Sequence, residues 1–458
     1  MLIATIVAFA FFMENLDSTI ITTAIPAMAE SLHEPPLQLN LAITSYLLSL
    51  AVFMPVSGWI ADRHGMRSVF CVAIVIFTIG SALSGLADSL LMMVGTRALQ
   101  GLGGAMMTPV GRLILLRTFP RDRLITAMMY MSIPAMIGPT IGPLVGGFLA
   151  TYASWRWIFY VNIPIGLIGI VLARRFIPDH REPPPARFDV LGFVICGAGL
   201  AALQLGIQNL ARRMGPPGTE IVLFALAGTL LALYVRHAHR RENPAVDLAV
   251  LRIRSFRVTV ASGSLCRTGL NGVPFLLPLM FQLGFGLNAM QSGSLTFAST
   301  VGAILMRPTA RFLLRTFGFR RLLIGNCVLG AISVAAFALV HADTPHWIVL
   351  ILVLVFGFLR STQFIGINTL SYADVPPGLI SRATGIGALC QQLSLSFGVG
   401  IAATLLAAVV GPGGTIAAAD FPPVFLATAL IALVSVGGFV RLTPQDGCEV
   451  SGFKPRAG

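Results

Sequence analysis

Two carboxylates and three guanidinium groups stand inside stretches that are otherwise apolar: Glu14, Asp17, Arg97, Arg267 and Arg360. Were those stretches to cross a bilayer, each charge at its centre would cost about 2.5–3.5 kcal/mol, so a charge kept there marks a functional position. A partly desolvated acid binds and releases a proton as its surroundings change, and a neighbouring arginine favours its ionised form. Glu14 and Asp17 lie one turn apart and share a helix face. Asp17 and Arg97 read either as a pair for proton exchange or as a static structural pair, and Glu14 as a second proton carrier, a contact for a cation or a solvated group. Arg267 and Arg360 turn either to amides such as Asn271, Gln363 and Gln391 or to an anion. Gln100, one turn from Arg97, belongs with the same polar face.

The elements that hold these groups follow from composition. Of 458 residues, 56% are apolar and 11% charged, against about 25% charged in a soluble domain. The chain reads as an integral membrane protein. Runs of roughly 17–25 apolar residues suffice to span a bilayer as helices. Fourteen are found, near 3–28, 38–61, 69–87, 90–113, 124–149, 157–177, 189–210, 220–237, 257–283, 289–310, 321–340, 346–371, 380–408 and 421–440. With a rise of about 1.5 Å per residue, Glu14 lies roughly 16 Å deep, and Asp17 reaches a depth similar to that of Arg97.

The net charge of +13 comes from 31 basic and 18 acidic residues. With the N-terminus inside, most basic residues fall in cytoplasmic loops, among them Arg63, Arg67, Arg121, Arg174, Arg187, Arg240, Arg254, Arg315 and Arg321. This is the bias that orients membrane proteins and puts both termini in the cytoplasm. It accounts for the basic excess without nucleic acid. The expected organisation is six helices (1–178), an inserted pair with its linkers (179–253), six more (254–441) and a cytoplasmic tail (442–458).

Further patterns sit at the ends and faces of these runs. Gly58-Trp-Ile-Ala-Asp62-Arg63-His-Gly65-Met-Arg67 joins the second and third runs. Gly65 suits its tight turn, Gly58 a close helix approach, and Asp62 an ion pair with Arg67 or a helix cap. The same loop also reads as an ordinary cytoplasmic turn. Gly138-Pro139, Gly142-Pro143 and Gly146-Gly147 recur every four residues on one face of the fifth run, which lets another backbone approach.

These motifs, with Arg97-Ala-Leu-Gln100-Gly101-Leu-Gly103-Gly104-Ala105, Leu16-Asp17-Ser-Thr19 and Trp155-Arg156-Trp157 through Asn162-Ile-Pro164, resemble the major facilitator superfamily. Within it the chain is similar to the fourteen-helix drug:proton antiporters over nearly its whole length. The resemblance implies an all-α polytopic fold and a multi-pass place in a bacterial inner membrane. It also implies export of a small organic molecule against protons by alternating access, acting as a monomer. The glycine motif would then be the antiporter motif, with the tenth run as its partner, and the Gly58–Arg67 loop a conformational latch. Two departures stand out: Thr22 replaces the usual Asn, and Arg315 takes the Asp position in the second-half loop that keeps Gly318 and Arg320.

An excess of buried arginines over acids favours a second cargo, an anionic metabolite such as a carboxylate or its metal complex. A non-transporting sensor on the same scaffold is a remote third reading. No HExxH, GxSxG or phosphate-binding GxxxxGK[ST] pattern occurs, so neither catalysis nor ATP hydrolysis is expected. The six cysteines have no metal spacing and suit apolar packing. No metal and no cofactor is expected, only the proton gradient as energy source, with substrate, protons and lipid as partners.

Overall fold

The computed structural model describes residues 2–119, 121–178, 188–212, 216, 218–241, 244–376, 379–411, 414–443 and 445–448, without the side chains of 116, 121–129, 131–136, 211, 212, 311 and 381. Most of the linker expected at 178–188, with Arg187, lies outside the described residues, as does the end of the tail. Hydrocarbon offers no water to backbone N–H and C=O groups, so apolar runs satisfy them internally as helices. Ten helical stretches among the described residues are long and apolar enough to cross a membrane. They coincide with ten of the fourteen predicted runs. The fourth, fifth, ninth and tenth runs are helical too. Arg97 in the fourth run and Arg267 in the ninth lower the apolarity of those two.

Contacts divide the chain into two compact units. The first comprises residues 1–201, 229–245 and 288–294. It opens with α1 (Leu2–Ile20), which continues through a 3₁₀ turn into α2 (Ile25–Leu32). Then come α3 (Asn40–His64), α4 (Met66–Gly85), α5 (Leu90–Thr118) and α6 (Arg121–Tyr152). The short α7 (Trp157–Tyr160) and α8 (Asn162–Phe176) follow. Gly65 turns the chain between α3 and α4 at φ +87°, a conformation a side chain would strain. Gly101 and Gly103 seat α5 against α3 and α4: a methyl group at either would overlap backbone at Tyr46 or Phe77. That close fit brings the polar face of α5 within reach of α1.

The inserted hairpin is α9 (Val190–Arg212) and α10 (Thr219–Ala238), and contacts assign parts of each helix to both units. The leading half of α9 packs on α3, with Phe193 5.7 Å from Phe53 between ring centroids. Asp189 caps α9 by accepting from the Gly192 N–H at 3.0 Å, and it meets His237 Nε2 at 2.7 Å. Burial acts to raise the Asp189 pKa. The bonds from His237, Gly192 and Ala245 outweigh it and hold the carboxyl below its ordinary range.

The second unit comprises residues 202–228, 246–287 and 295–458. Its helices are α11 (Arg254–Asn271), α12 (Val273–Leu279), α13 (Ala289–Ala336, whose start as far as Ser294 belongs to the first unit), α14 (His346–Ala373), α15 (Ile380–Val410), α16 (Phe421–Val434) and α17 (Val436–Phe439). Gly318 breaks α13 at φ +66°, between the predicted tenth and eleventh runs, as Gly65 does between α3 and α4. Phe337 lies 5.9 Å from Phe356 and 5.5 Å from Phe425 in the core. The trailing half of α9 packs on α15, where Thr404 Oγ1 donates to the Ile207 carbonyl at 3.1 Å.

Candidate functional site

In the first unit the structure joins Asp17 of α1 to Arg97 of α5, Nη1 to Oδ2, at 2.6 Å. Both side chains are 0% exposed. Arg97 Nη1 also donates to Gln100 Oε1 at 2.7 Å and its Nε to the Ala42 carbonyl at 3.2 Å. Its guanidinium carbon stands 4.3 Å from the Tyr46 ring centroid. Asp17 Oδ1 accepts from Gln100 Nε2 at 2.9 Å and from Asn162 Nδ2 of α8 at 3.1 Å. Asn162 Nδ2 in turn reaches Ser81 Oγ of α4 at 3.0 Å. One carboxylate thus collects three N–H donors and joins α1 to α5 and α8, and those donors carry the network on to α3 and α4.

Depth arithmetic pointed to Asp17 and Arg97 but assigned nothing to Asn162, Ser81 or Tyr46. The available signal was Asn162 itself, a lone amide in the Trp155–Pro164 motif, where an amide without a partner in hydrocarbon would be costly.

Glu14 has a different setting. It is 8% exposed, and among the described residues its Oε2 meets one hydrogen-bonding group, the Thr108 hydroxyl of α5. A hydroxyl can donate to a carboxylate or accept from a carboxylic acid. Arg112, one turn beyond Thr108, lies with its guanidinium carbon 6.0 Å from the Phe11 ring centroid.

The cytoplasmic-loop motif is assembled otherwise than expected. Asp62 Oδ1 pairs with Arg117 Nη2 from the last turn of α5 at 3.0 Å, rather than with Arg67. Arg63 stacks 5.1 Å from the Trp59 ring centroid. Gly65 has its turn role, but a Cβ at Gly58 would meet none of the described residues within 4 Å, so among them no close helix approach depends on Gly58. Its facing direction, set by the helix azimuth, was not available from spacing.

The glycine motif of α6 also has a different neighbour. Gly138, Gly142 and Gly146 press on α1 at Leu16, Thr19 and Ile20, where an added methyl would overlap backbone or side chain. Gly147 and Pro143 meet the first turn of α13, at Ala289 and Gly293. Three of the glycines therefore set the position of the acid-bearing helix, and the expected tenth-run partner touches the outer end of the motif. Pro139 sits in the same helix, between Gly138 and Gly142.

In the second unit, Arg267 and Asn271 share one face of α11, and Arg360, Phe364 and Asn368 one face of α14, each four residues apart. The pairs cross: Arg267 Nη2 donates to Asn368 Oδ1 at 2.6 Å, and Arg360 Nη2 to Asn271 Oδ1 at 3.3 Å. The two guanidinium carbons lie 5.3 and 5.2 Å from the centroid of the same Phe364 ring. No carboxylate of the described residues is within 4.0 Å of either. Gln363 faces elsewhere, accepting from Asn326 Nδ2 at 2.9 Å and donating to the Leu323 carbonyl, so it binds helices together. Gln391 of α15 is exposed.

Gly269, Gly272 and Pro274 stand close together at the end of α11 and the start of α12. Gly272 keeps helical angles, φ −69° and ψ −29°, and both glycines admit close contact with α16 and α15. The six cysteines are free thiols. Among the described residues no cluster of three or more His, Cys, Asp or Glu is placed to hold a metal.

Comparison with known proteins places these clusters in context. The family model described as Major Facilitator Superfamily matches residues 7–399. A relative in Pectobacterium atrosepticum, named "Putative multidrug resistance protein MdtD", is 38% identical over 432 residues, covering 94% of this chain and 92% of its own. One of the same name in Escherichia coli O6:H1 is 39% identical over 411 residues, covering 88% and 85%. Among solved structures, a D-xylose-proton symporter superposes with a TM-score of 0.71 at 14% identity, over 97% of this chain and 98% of that one.

Proposed function

The chain belongs to the major facilitator superfamily, and from that premise we propose that it is a proton-coupled exporter of small organic molecules working by alternating access. It is a membrane transport protein and not an enzyme. The observation that carries the coupling is the contrast between the two acids of α1. Asp17 is enclosed by N–H donors from Arg97, Gln100 and Asn162 and has its countercharge directly beside it. Glu14 faces a hydroxyl able to serve either protonation state. Glu14 is therefore the exchanging acid. Asp17, first choice on the sequence, together with Arg97 and Gln100 holds α1, α5 and α8 in the arrangement that Glu14 works in.

In this reading the chain has fourteen transmembrane helices and both termini in the cytoplasm of a bacterial inner membrane. The ten apolar spans and the arginine-rich loops support it. The Asp62–Arg117 pair acts as a latch at the cytoplasmic end of α3 and α5. Each inward proton contributes about 2.3 kcal/mol per 100 mV of membrane potential. Export of drug-like molecules is the reading favoured by the names of the relatives, and one chain carries both charge clusters, so a monomer suffices.

The test is flux in proteoliposomes under an imposed pH gradient, with tetraphenylphosphonium and small carboxylates as cargo. Glu14→Gln should abolish gradient-driven flux while leaving cargo exchange between equal pools. Flux indifferent to the pH gradient in the native protein overturns the proposal. Normal coupling in Glu14→Gln, with coupling lost in a stable Asp17→Asn protein, returns the role to Asp17.

A further inference from the structure

We propose that Arg267 and Arg360, set about the Phe364 ring, form a subsite for the carboxylate of an organic anion. The proposal deepens the exporter reading by naming the chemistry of its cargo, and it rests on that reading only for what happens after binding.

Three observations carry it. The first is charge without countercharge: no described carboxylate pairs with either guanidinium. Both Nε atoms are buried with no hydrogen-bond partner among the described residues. Arg267 is only 4% exposed. A buried cation left in this state is destabilising unless an anion or further acceptors complete it. The second is geometry. A guanidinium presents its donors in a planar fork that matches a carboxylate bidentately. Here the Nη2 atoms are anchored on Asn368 and Asn271, which fixes both forks while leaving the Nε–H groups for a ligand.

The third is the floor of the site. Phe364 gives an apolar face that both cations already stack on, suited to the carbon skeleton of an organic acid. Arg267 lies about 20 Å along the helix from Arg254 at the start of α11, deeper than a lipid phosphate sits. An organic carboxylate therefore fits the position better than a lipid headgroup.

The purified full-length protein in lipid nanodiscs provides the test, by calorimetric titration with glutarate and phenylacetate, each against its neutral amide. The acids should bind at least tenfold tighter than the amides. Arg267→Gln and Arg360→Gln should each weaken acid binding tenfold or more. A readout free of variants is phenylglyoxal modification followed by mass spectrometry, in which glutarate should slow modification of Arg267 and Arg360 at least fivefold. Equal binding of acid and amide overturns the proposal. So does acid binding that protects neither arginine, or that survives both substitutions in folded protein. Nanodiscs whose lipid is anionic should not protect these arginines in the absence of glutarate; if they do, the occupant is a headgroup and the proposal falls. Carboxylate binding without flux in proteoliposomes would sink the exporter reading and leave the subsite standing. Flux of tetraphenylphosphonium with no carboxylate binding would do the reverse.

Discussion

The two units of this transporter bury arginine in opposite ways. Arg97 is fully enclosed with an acid, an amide, a carbonyl and an aromatic ring about it. Arg267 and Arg360 have amides and a ring but no acid; an idle donor is common to all three, Nη2 in Arg97 and Nε in the other two. The first arrangement neutralises itself within the protein, so its worth is structural. The second is left incomplete, and a cationic site that the chain does not complete is open to completion by a ligand. Burial alone does not distinguish these roles; the inventory of partners does.

The sharpest way to break the comparison is to remove one arginine from each unit and follow thermal unfolding. Arg97→Gln strands the buried Asp17 carboxylate and should cost about 3–5 kcal/mol, part of which returns when Asp17→Asn removes the charge as well. Arg267→Gln deletes a charge that has no counterion, so it should cost less than about 1 kcal/mol, near the value of one hydrogen bond. Equal losses at the two sites would erase the distinction.

Between these lies the packing that places α1. Gly142→Ala should cost about 1–3 kcal/mol, because its methyl overlaps Thr19 and the helices must part. Gly58→Ala should fall within about 0.5 kcal/mol of the native protein, since its Cβ meets none of the described residues within 4 Å. The difference, read as unfolding midpoints in the same detergent, checks that α1 is held by shape as well as by charge.

The smallest expected effect is at the base of the inserted hairpin. Asp189 has a lowered pKa in the fold, so its contribution to stability is complete above the ordinary carboxyl range near 3.9 and is lost as pH falls through the lower folded value. Hydrogen exchange at the first turn of α9 should therefore hold steady from pH 7 to 5 and rise, after correction for intrinsic rates, only at stronger acidity. Asp189→Asn should remove that rise.

Much of this was legible in the sequence. Hydropathy placed the helices because lipid leaves the backbone no other option, and the rise per residue brought Asp17 and Arg97 to one depth without coordinates. The partner of Asp62 was not legible. Arg117 lies on a helix that is distant in sequence, and a side chain of that length finds its acceptor by azimuth rather than spacing. The same limit hid the facing of Gly58, the neighbour of Gly138, Gly142 and Gly146, and the withdrawal of Gln363 into an interhelix bond. Spacing tells which residues share a face. It does not tell what that face meets.

The reach of the Asp17–Arg97 bond, 80 residues along the chain, has a consequence for biogenesis. When α1 leaves the ribosome, its two acids have not yet met Arg97. At about 5–20 residues per second, Arg97 follows roughly 4–16 s later, and Asn162 later still. Until then α1 bears the full cost of its acids in lipid. The insertion machinery must shelter this helix through the synthesis of the next three, and release of α1 into the bilayer should coincide with the arrival of α5.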